Sequence, residues 1–123
     1  RPIGIIVKNN TKYILDTASK LVLYNQKIQP NSLPLIFGDN AEKSFVNLFN
    51  LLDEHNFPLE KIKNYYYFQI DRWDLKLFNE QIIRLPANEI VSSIKLTIKL
   101  LNRKDFENYN IIDLRINGKI ITE

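Results

Sequence analysis

Ile111-Ile112-Asp113-Leu114-Arg115-Ile116-Asn117-Gly118-Lys119-Ile120-Ile121 is the stretch on which the reading of this chain turns. Apolar and polar residues alternate up to Ile116, the chain reverses at Asn117-Gly118, and a second β-branched run follows. Asn and Gly both tolerate the positive φ of a type I′ turn, so this dipeptide between two strand-like runs signals a β-hairpin. The final strand, residues 119–122, is then expected at the rim of a sheet, with no later segment to pair with it. Such an edge is a template for another chain unless something guards it.

Working outward, residues 102–110 form a charged loop. Residues 88–101 satisfy two periodicities at once. Ile94, Leu96, Ile98 and Leu100 alternate with Lys95, Thr97 and Lys99, as in a strand. Ile90, Ile94, Ile98 and Leu101 also recur at helical spacing, with Asn88 as a cap. The length favours a helix, because strands beyond about ten residues are uncommon. Further back, Trp73, Leu75 and Leu77 alternate with Asp74 and Lys76 in a half-buried strand that returns at residues 82–85. Asn79-Glu80 is a poor type I′ pair, which predicts a connection longer than two residues. Tyr65-Tyr66-Tyr67-Phe68 is strand-prone.

Ala41, Phe45, Leu48, Phe49 and Leu52 place one apolar stripe on a helix from residue 41 to about residue 55. Asp39 and Glu42 have capping-box spacing ahead of it, and Pro58 prevents its continuation. Leu33-Pro34-Leu35-Ile36-Phe37-Gly38 carries a proline that places it at a strand start or a sheet edge. Residues 3–7, 11–15 and 21–24 read as a meander, turning at Asn9-Asn10 and again at Asp16, whose carboxylate is available to the amides that follow.

Strands, helix, strands, helix and hairpin in this order predict an α+β domain. Its sheet is expected to be mixed and mainly antiparallel, with two main helices packed on it and an exposed C-terminal edge strand. The expected core is Leu35, Phe45, Leu48, Phe49, Leu52, Trp73, Leu75, Leu77, Ile83, Ile94, Ile98, Ile112 and Leu114. At 123 residues the chain suits one domain, able to bury roughly two-thirds of its unfolded surface.

The chemistry is mostly exclusion. Without cysteine there are no disulfides, zinc-thiolate sites or thiol nucleophiles. His55, the only histidine, falls near a helix C-terminus, where a cation is favoured for structural reasons. Three glycines form no phosphate-binding loop, no serine sits in a nucleophile elbow, and no carboxylate spacing supports a metal. Asp71 and Asp74, three apart in extended chain, point to opposite faces, whereas Asp113 is set to face water or pair with Arg115 two residues on. No cofactor, metal or catalytic residue is expected. A net charge of +3 is a mild excess, interspersed with acids. The alternative function is a small basic nucleic-acid-binding domain that stacks bases on Tyr65–Phe68 near Lys61 and Lys63.

Taken together, residues 33–38, the amphipathic helix, Arg72-Trp73-Asp74-Leu75-Lys76-Leu77, Arg84-Leu85-Pro86 and Ile112-Asp113-Leu114-Arg115 stand in an order that resembles the extracytoplasmic β domain of the FtsQ/DivIB cell-division proteins. Arg1-Pro2-Ile3-Gly4 is similar to the segment after that family's POTRA domain, and Ile14-Leu15-Asp16 to its first Asp turn. The resemblance spans residues 1–123 and implies a helix at 88–101. It also implies a non-catalytic scaffold, anchored in the inner membrane by a single pass outside this sequence, with this domain in the periplasm at the division septum. The implied partners are FtsB- and FtsL-like division proteins, with no nucleic acid and no small-molecule substrate. An FtsB strand would be accepted at the last strand, through Arg115, Ile116, Asn117, Gly118, Lys119, Ile120 and Ile121, with Arg115 gripping a partner carboxylate. The chain departs from the family pattern where Ser19 stands for a common glycine, Asn79-Glu80 for Asn-Gly, and Ile116 for a frequent aromatic residue.

Overall fold

The two hydrophobic periodicities sort into one sheet and a helical layer. A computed structural model describes residues 2–24, 33–116 and 119–123. Its elements are β1 (Pro2–Lys8), β2 (Thr11–Asp16), β3 (Leu21–Leu23), β4 (Leu35–Phe37), α1 (Ala41–Glu54), β5 (Ile62–Phe68), β6 (Arg72–Leu77), β7 (Ile82–Arg84), α2 (Ile90–Leu101), β8 (Ile111–Asp113) and β9 (Ile121–Thr122). The strands form one 9-stranded sheet in the order β3-β2-β1-β4-β5-β6-β7-β8-β9. Pairing is parallel at β1–β4, β4–β5 and β7–β8 and antiparallel at the other junctions. This is the expected mixed, mainly antiparallel α+β sheet, and the stretch from residue 88 resolves as a helix over Ile90–Leu101, capped by Glu89 at φ 56° rather than by Asn88.

Both helices lie on one face for a topological reason. α1 connects β4 to its neighbour β5, and α2 connects β7 to its neighbour β8. The two crossovers step the same way across the sheet from strands of the same direction, so the usual right-handed connection puts both on the same side. Phe45 of α1 stands edge-on to Tyr65, at 4.7 Å between ring centres, and to Trp73 at 5.8 Å. Ile94 and Leu100 of α2 join the same buried cluster as Ile83 and Ile112. Beneath the helices, Ile6, Ile36, Tyr65, Leu75, Ile83 and Ile112 sit side by side across six strands, all buried. Each buried side chain of this size contributes about 1.5–3 kcal/mol.

Two expected core residues are only half-buried. Leu35 points to the open face, and Ile36 occupies the interior between Ile6 and Tyr65, because β4 is central, flanked by β1 and β5. Pro34 sits just before the strand, where its carbonyl accepts the Ile5 N–H at 2.9 Å. On α2, Thr97 and Leu100 are buried in place of Ile98. The capping box is also absent. Asn40 caps α1 with φ 61° and no side-chain bond, and Glu42 instead meets Lys8 at 2.6 Å across to β1.

The turns follow their chemistry. Asn9 and Asn10 both adopt positive φ, and the Asp16 carboxylate accepts the amides of Ala18 and Lys20, each at 2.9 Å. The β6–β7 connection is longer than two residues, as expected. Leu77 N–H donates to the Gln81 carbonyl at 2.9 Å, and Glu80 takes the left-handed position at φ 76°. Ser19, with φ 62°, is likewise left-handed where glycine would be unstrained.

The closing hairpin differs from its expected form. Asn117 and Gly118 lie outside the described residues, and Lys119 N–H donates to the Ile116 carbonyl at 3.1 Å. A simple two-residue turn there would set Leu114 opposite Ile121. The ladder instead pairs Asp113 with Ile121 and Ile112 with Thr122, and the final strand is Ile121–Thr122 rather than residues 119–122. One more residue stands on the β8 side than on the β9 side, as in a β-bulge. The cause is tertiary. Leu114 N–H turns inward to the Arg84 carbonyl at 2.9 Å, its side chain enters the core, and the Asp113 carboxylate takes the Arg115 N–H at 3.0 Å.

Candidate protein-binding site

β9 pairs with β8 on one side and is the outermost strand of the sheet. Glu123 and Ile111 exchange both backbone bonds, at 3.0 and 3.2 Å. Antiparallel ladders alternate bonded and non-bonded pairs, so Ile121 and Asp113 form the next bonded pair, and the N–H and C=O of Thr122 point away from β8. These outward groups are what an added strand would use.

The expected binding residues separate into three groups. Ile120 and Ile121 sit on or beside the edge strand, 42% and 40% exposed, and Lys119 is exposed next to them. Ile116 is exposed at the turn, while Asn117 and Gly118 fall outside the described residues. Arg115 is committed inside the molecule. Its Nε donates to both Asp113 oxygens at 2.9 and 3.1 Å, and its Nη2 donates to Oδ2 at 2.7 Å. The pairing of Asp113 with Arg115 is as the alternation predicts, but the carboxylate is buried. The Arg115 guanidinium holds the Asp113 carboxyl below its ordinary value against the cost of burial, with the Arg115 N–H and the Arg84 charge adding to the effect.

An open groove of about 780 Å³ lies beside the edge, between the start of α2 and the turn after β8. Ile70, Leu96, Leu114, Ile116 and Ile120 supply its apolar wall, and Arg72, Arg115, Lys119 and Glu89 its charged residues. Ile70 is 72% exposed at the tip of the β5–β6 turn. Sequence reasoning did not reach Ile70 or Leu96, because the order of strands in the sheet and the crossover of α2 bring residues distant in the chain to the last strand.

On the face opposite the helices, Asp74, Arg84 and Asp113 are side by side across β6, β7 and β8. Arg72 pairs with Asp74 and lies over the Phe68 ring at 4.3 Å. The Nε of Arg84 is buried and makes no hydrogen bond among the described residues. No pattern in the sequence distinguishes Arg84 from any other strand arginine.

The side chains of the aromatic strand divide between the two faces of the sheet, with Phe68 exposed. Tyr65 is buried against Phe45, Tyr67 packs on Trp73 at 4.9 Å, and Tyr66 stacks with Phe37 at 5.2 Å. Asp71 accepts from Ser44 and from the Tyr67 hydroxyl at the surface. His55 ends α1, its N–H donating to the Leu51 carbonyl at 3.2 Å. Among the described residues, no group of three or more His, Cys, Asp or Glu side chains converges, and no helix is long and apolar enough to cross a membrane.

Comparison with known proteins bears directly on this architecture. The family model described as "Cell division protein FtsQ/DivIB, C-terminal" matches residues 4–115, which leaves β9 outside the matched span. Among solved structures, the chain is similar to the major extracytoplasmic domain of the trans isomer of the bacterial cell division protein DivIB from Geobacillus stearothermophilus. The TM-score is 0.55 at 14% identity, over 85% of this chain and 97% of that one, a likeness of fold. No curated protein matches. A family match across nearly the whole described sheet, ending at the Asp113–Arg115 pair, establishes that the chain belongs to the FtsQ/DivIB family of cell-division proteins, whose C-terminal domain it contains.

Proposed function

We propose that this domain is a non-catalytic docking scaffold of the division machinery that accepts a strand from an FtsB-like partner, itself joined to an FtsL-like protein, along β9. The observation that carries the reading is the outward-facing backbone of Thr122 on the outermost strand, next to a groove with an apolar wall. An added strand satisfies the free N–H and C=O groups, and alternate side chains select the partner. Ile116, Ile120 and Ile121 offer apolar contacts, and Lys119 and Arg115 offer charge to an acidic partner. Membership of a cell-division family supports the setting, and the likeness to an extracytoplasmic domain supports a periplasmic place, with an inner-membrane anchor outside this sequence.

The test is photo-crosslinking from position 120 in the native cell envelope, with mass-spectrometric identification of the captured chain. Capture of an FtsB-like division protein is expected. Adducts confined to this protein itself, with no division protein among the products, would overturn the reading.

A further inference from the structure

We propose that Arg84 is the alternate partner of the buried Asp113 carboxylate, freeing Arg115 to turn to an acidic side chain on the incoming strand. The inference rests on the docking role of Arg115 just proposed. In the free protein the Nε–Nη2 edge of Arg115 is fully occupied by Asp113. That same edge would grip a partner carboxylate in bidentate fashion. Arg115 is exposed while Asp113 is 6% exposed, so only the arginine is free to move. Simple withdrawal would leave a buried carboxylate uncompensated, a larger penalty than an exposed ion pair returns.

The open face of the sheet holds the remedy. Three guanidinium groups there share two carboxylates. Arg72 holds Asp74, Arg115 holds Asp113, and Arg84 stands between the two acids in the strand register with no ion-pair partner of its own among the described residues. Its buried Nε has no hydrogen-bond acceptor among them. A shift of its guanidinium toward β8 would satisfy that donor and the carboxylate together. The other charges acting on Arg115 are Asp74 and Glu123, and both favour its charged form. With Arg84 taking the place of Arg115, the Asp113 carboxylate has an arginine partner in both the free and the bound state.

The test has an arm that needs no partner. The Asp113 side-chain carboxyl is titrated by carbon NMR in the 123-residue chain and its Arg115→Gln and Arg84→Gln variants, with the Arg84 Nε–Hε signal followed alongside. Amide spectra confirm the fold of each variant. In Arg115→Gln, Asp113 is expected to stay below the ordinary carboxylate range while the Arg84 Hε signal shifts as it gains an acceptor. In Arg84→Gln, Arg115 keeps Asp113 low. An Arg115→Gln variant in which Asp113 titrates at or above the ordinary value with an unmoved Arg84 Hε overturns the proposal. The second arm measures affinity for a synthetic peptide of the FtsB-like strand captured by the crosslink from position 120. Arg84→Gln is expected to weaken it about tenfold, with recovery in Arg84→Lys. Equal affinity in the wild type and Arg84→Gln overturns the exchange. A wild-type chain that ignores the peptide refutes the docking role instead, and the NMR arm still decides whether Arg84 replaces Arg115.

Discussion

Proline placed along the edge strand separates the two sides of β9. Thr122→Pro deletes an N–H that points away from β8, whereas Ile121→Pro deletes one that the ladder alternation directs at Asp113. The first substitution removes one bond to an added strand. A net backbone hydrogen bond is worth about 0.5–1.5 kcal/mol, and an unsatisfied partner carbonyl costs more in proportion to its burial. Because the edge is accessible to water, only part of that penalty applies, and the expected loss is about 1–3 kcal/mol, or about 5- to 150-fold in Kd. Calorimetric titration with the FtsB-like peptide reads the affinity, and a urea melt of the same sample reads the stability. Thr122→Pro is expected to lower affinity and leave the urea midpoint within error of the wild type. Ile121→Pro is expected to lower both, since it breaks a bond inside the molecule. Wild-type affinity in Thr122→Pro, or equal stability losses in the two variants, would refute the assignment of outward and inward groups.

Other substitutions address the frame that holds this edge. Gly38 has φ 120° and a Cβ there would collide with the Tyr67 carbonyl, so Gly38→Ala is expected to cost about 2–4 kcal/mol in urea denaturation. Ser19→Gly relieves a left-handed backbone at an exposed turn and is expected to raise the melting temperature by a few degrees, corresponding to about 0.5–1 kcal/mol. Phe45→Ala empties the space between Tyr65 and Trp73 and is expected to cost about 3–5 kcal/mol, with loss of the near-ultraviolet signal of Trp73. Asp113 has a lowered folded-state pKa, set first by its bonds to Arg115. Its contribution to stability is therefore complete above the ordinary carboxylate value of about 4 and is lost as pH falls through the lowered folded value. Urea midpoints measured down the acid limb are expected to fall less steeply in Asp113→Asn than in the wild type.

Much of this protein is readable from local chemistry. The period-3.6 stripe from Ala41 to Leu52 can bury itself only as a helix against a sheet, and Trp73, Leu75 and Leu77 only as a strand with one covered face. Asn9-Asn10 and Asp16 make their turns with their own side chains and backbones, so no distant residue is needed to place them. Tertiary contacts decided the rest. Residues 88–101 satisfy two periods, and α2 exists because a parallel step from β7 to β8 requires a crossover that only a helix of this length spans economically. The register of β9 escaped local reasoning because Leu114 answers to the Arg84 carbonyl and the core before it answers to Asn117-Gly118. Likewise the groove beside β9, and the arginine between two acids whose Nε has no acceptor among the described residues, arise only when strands distant in the chain become neighbours in the sheet. Side-chain periodicity reports which face a residue occupies, but not which residue will stand next to it.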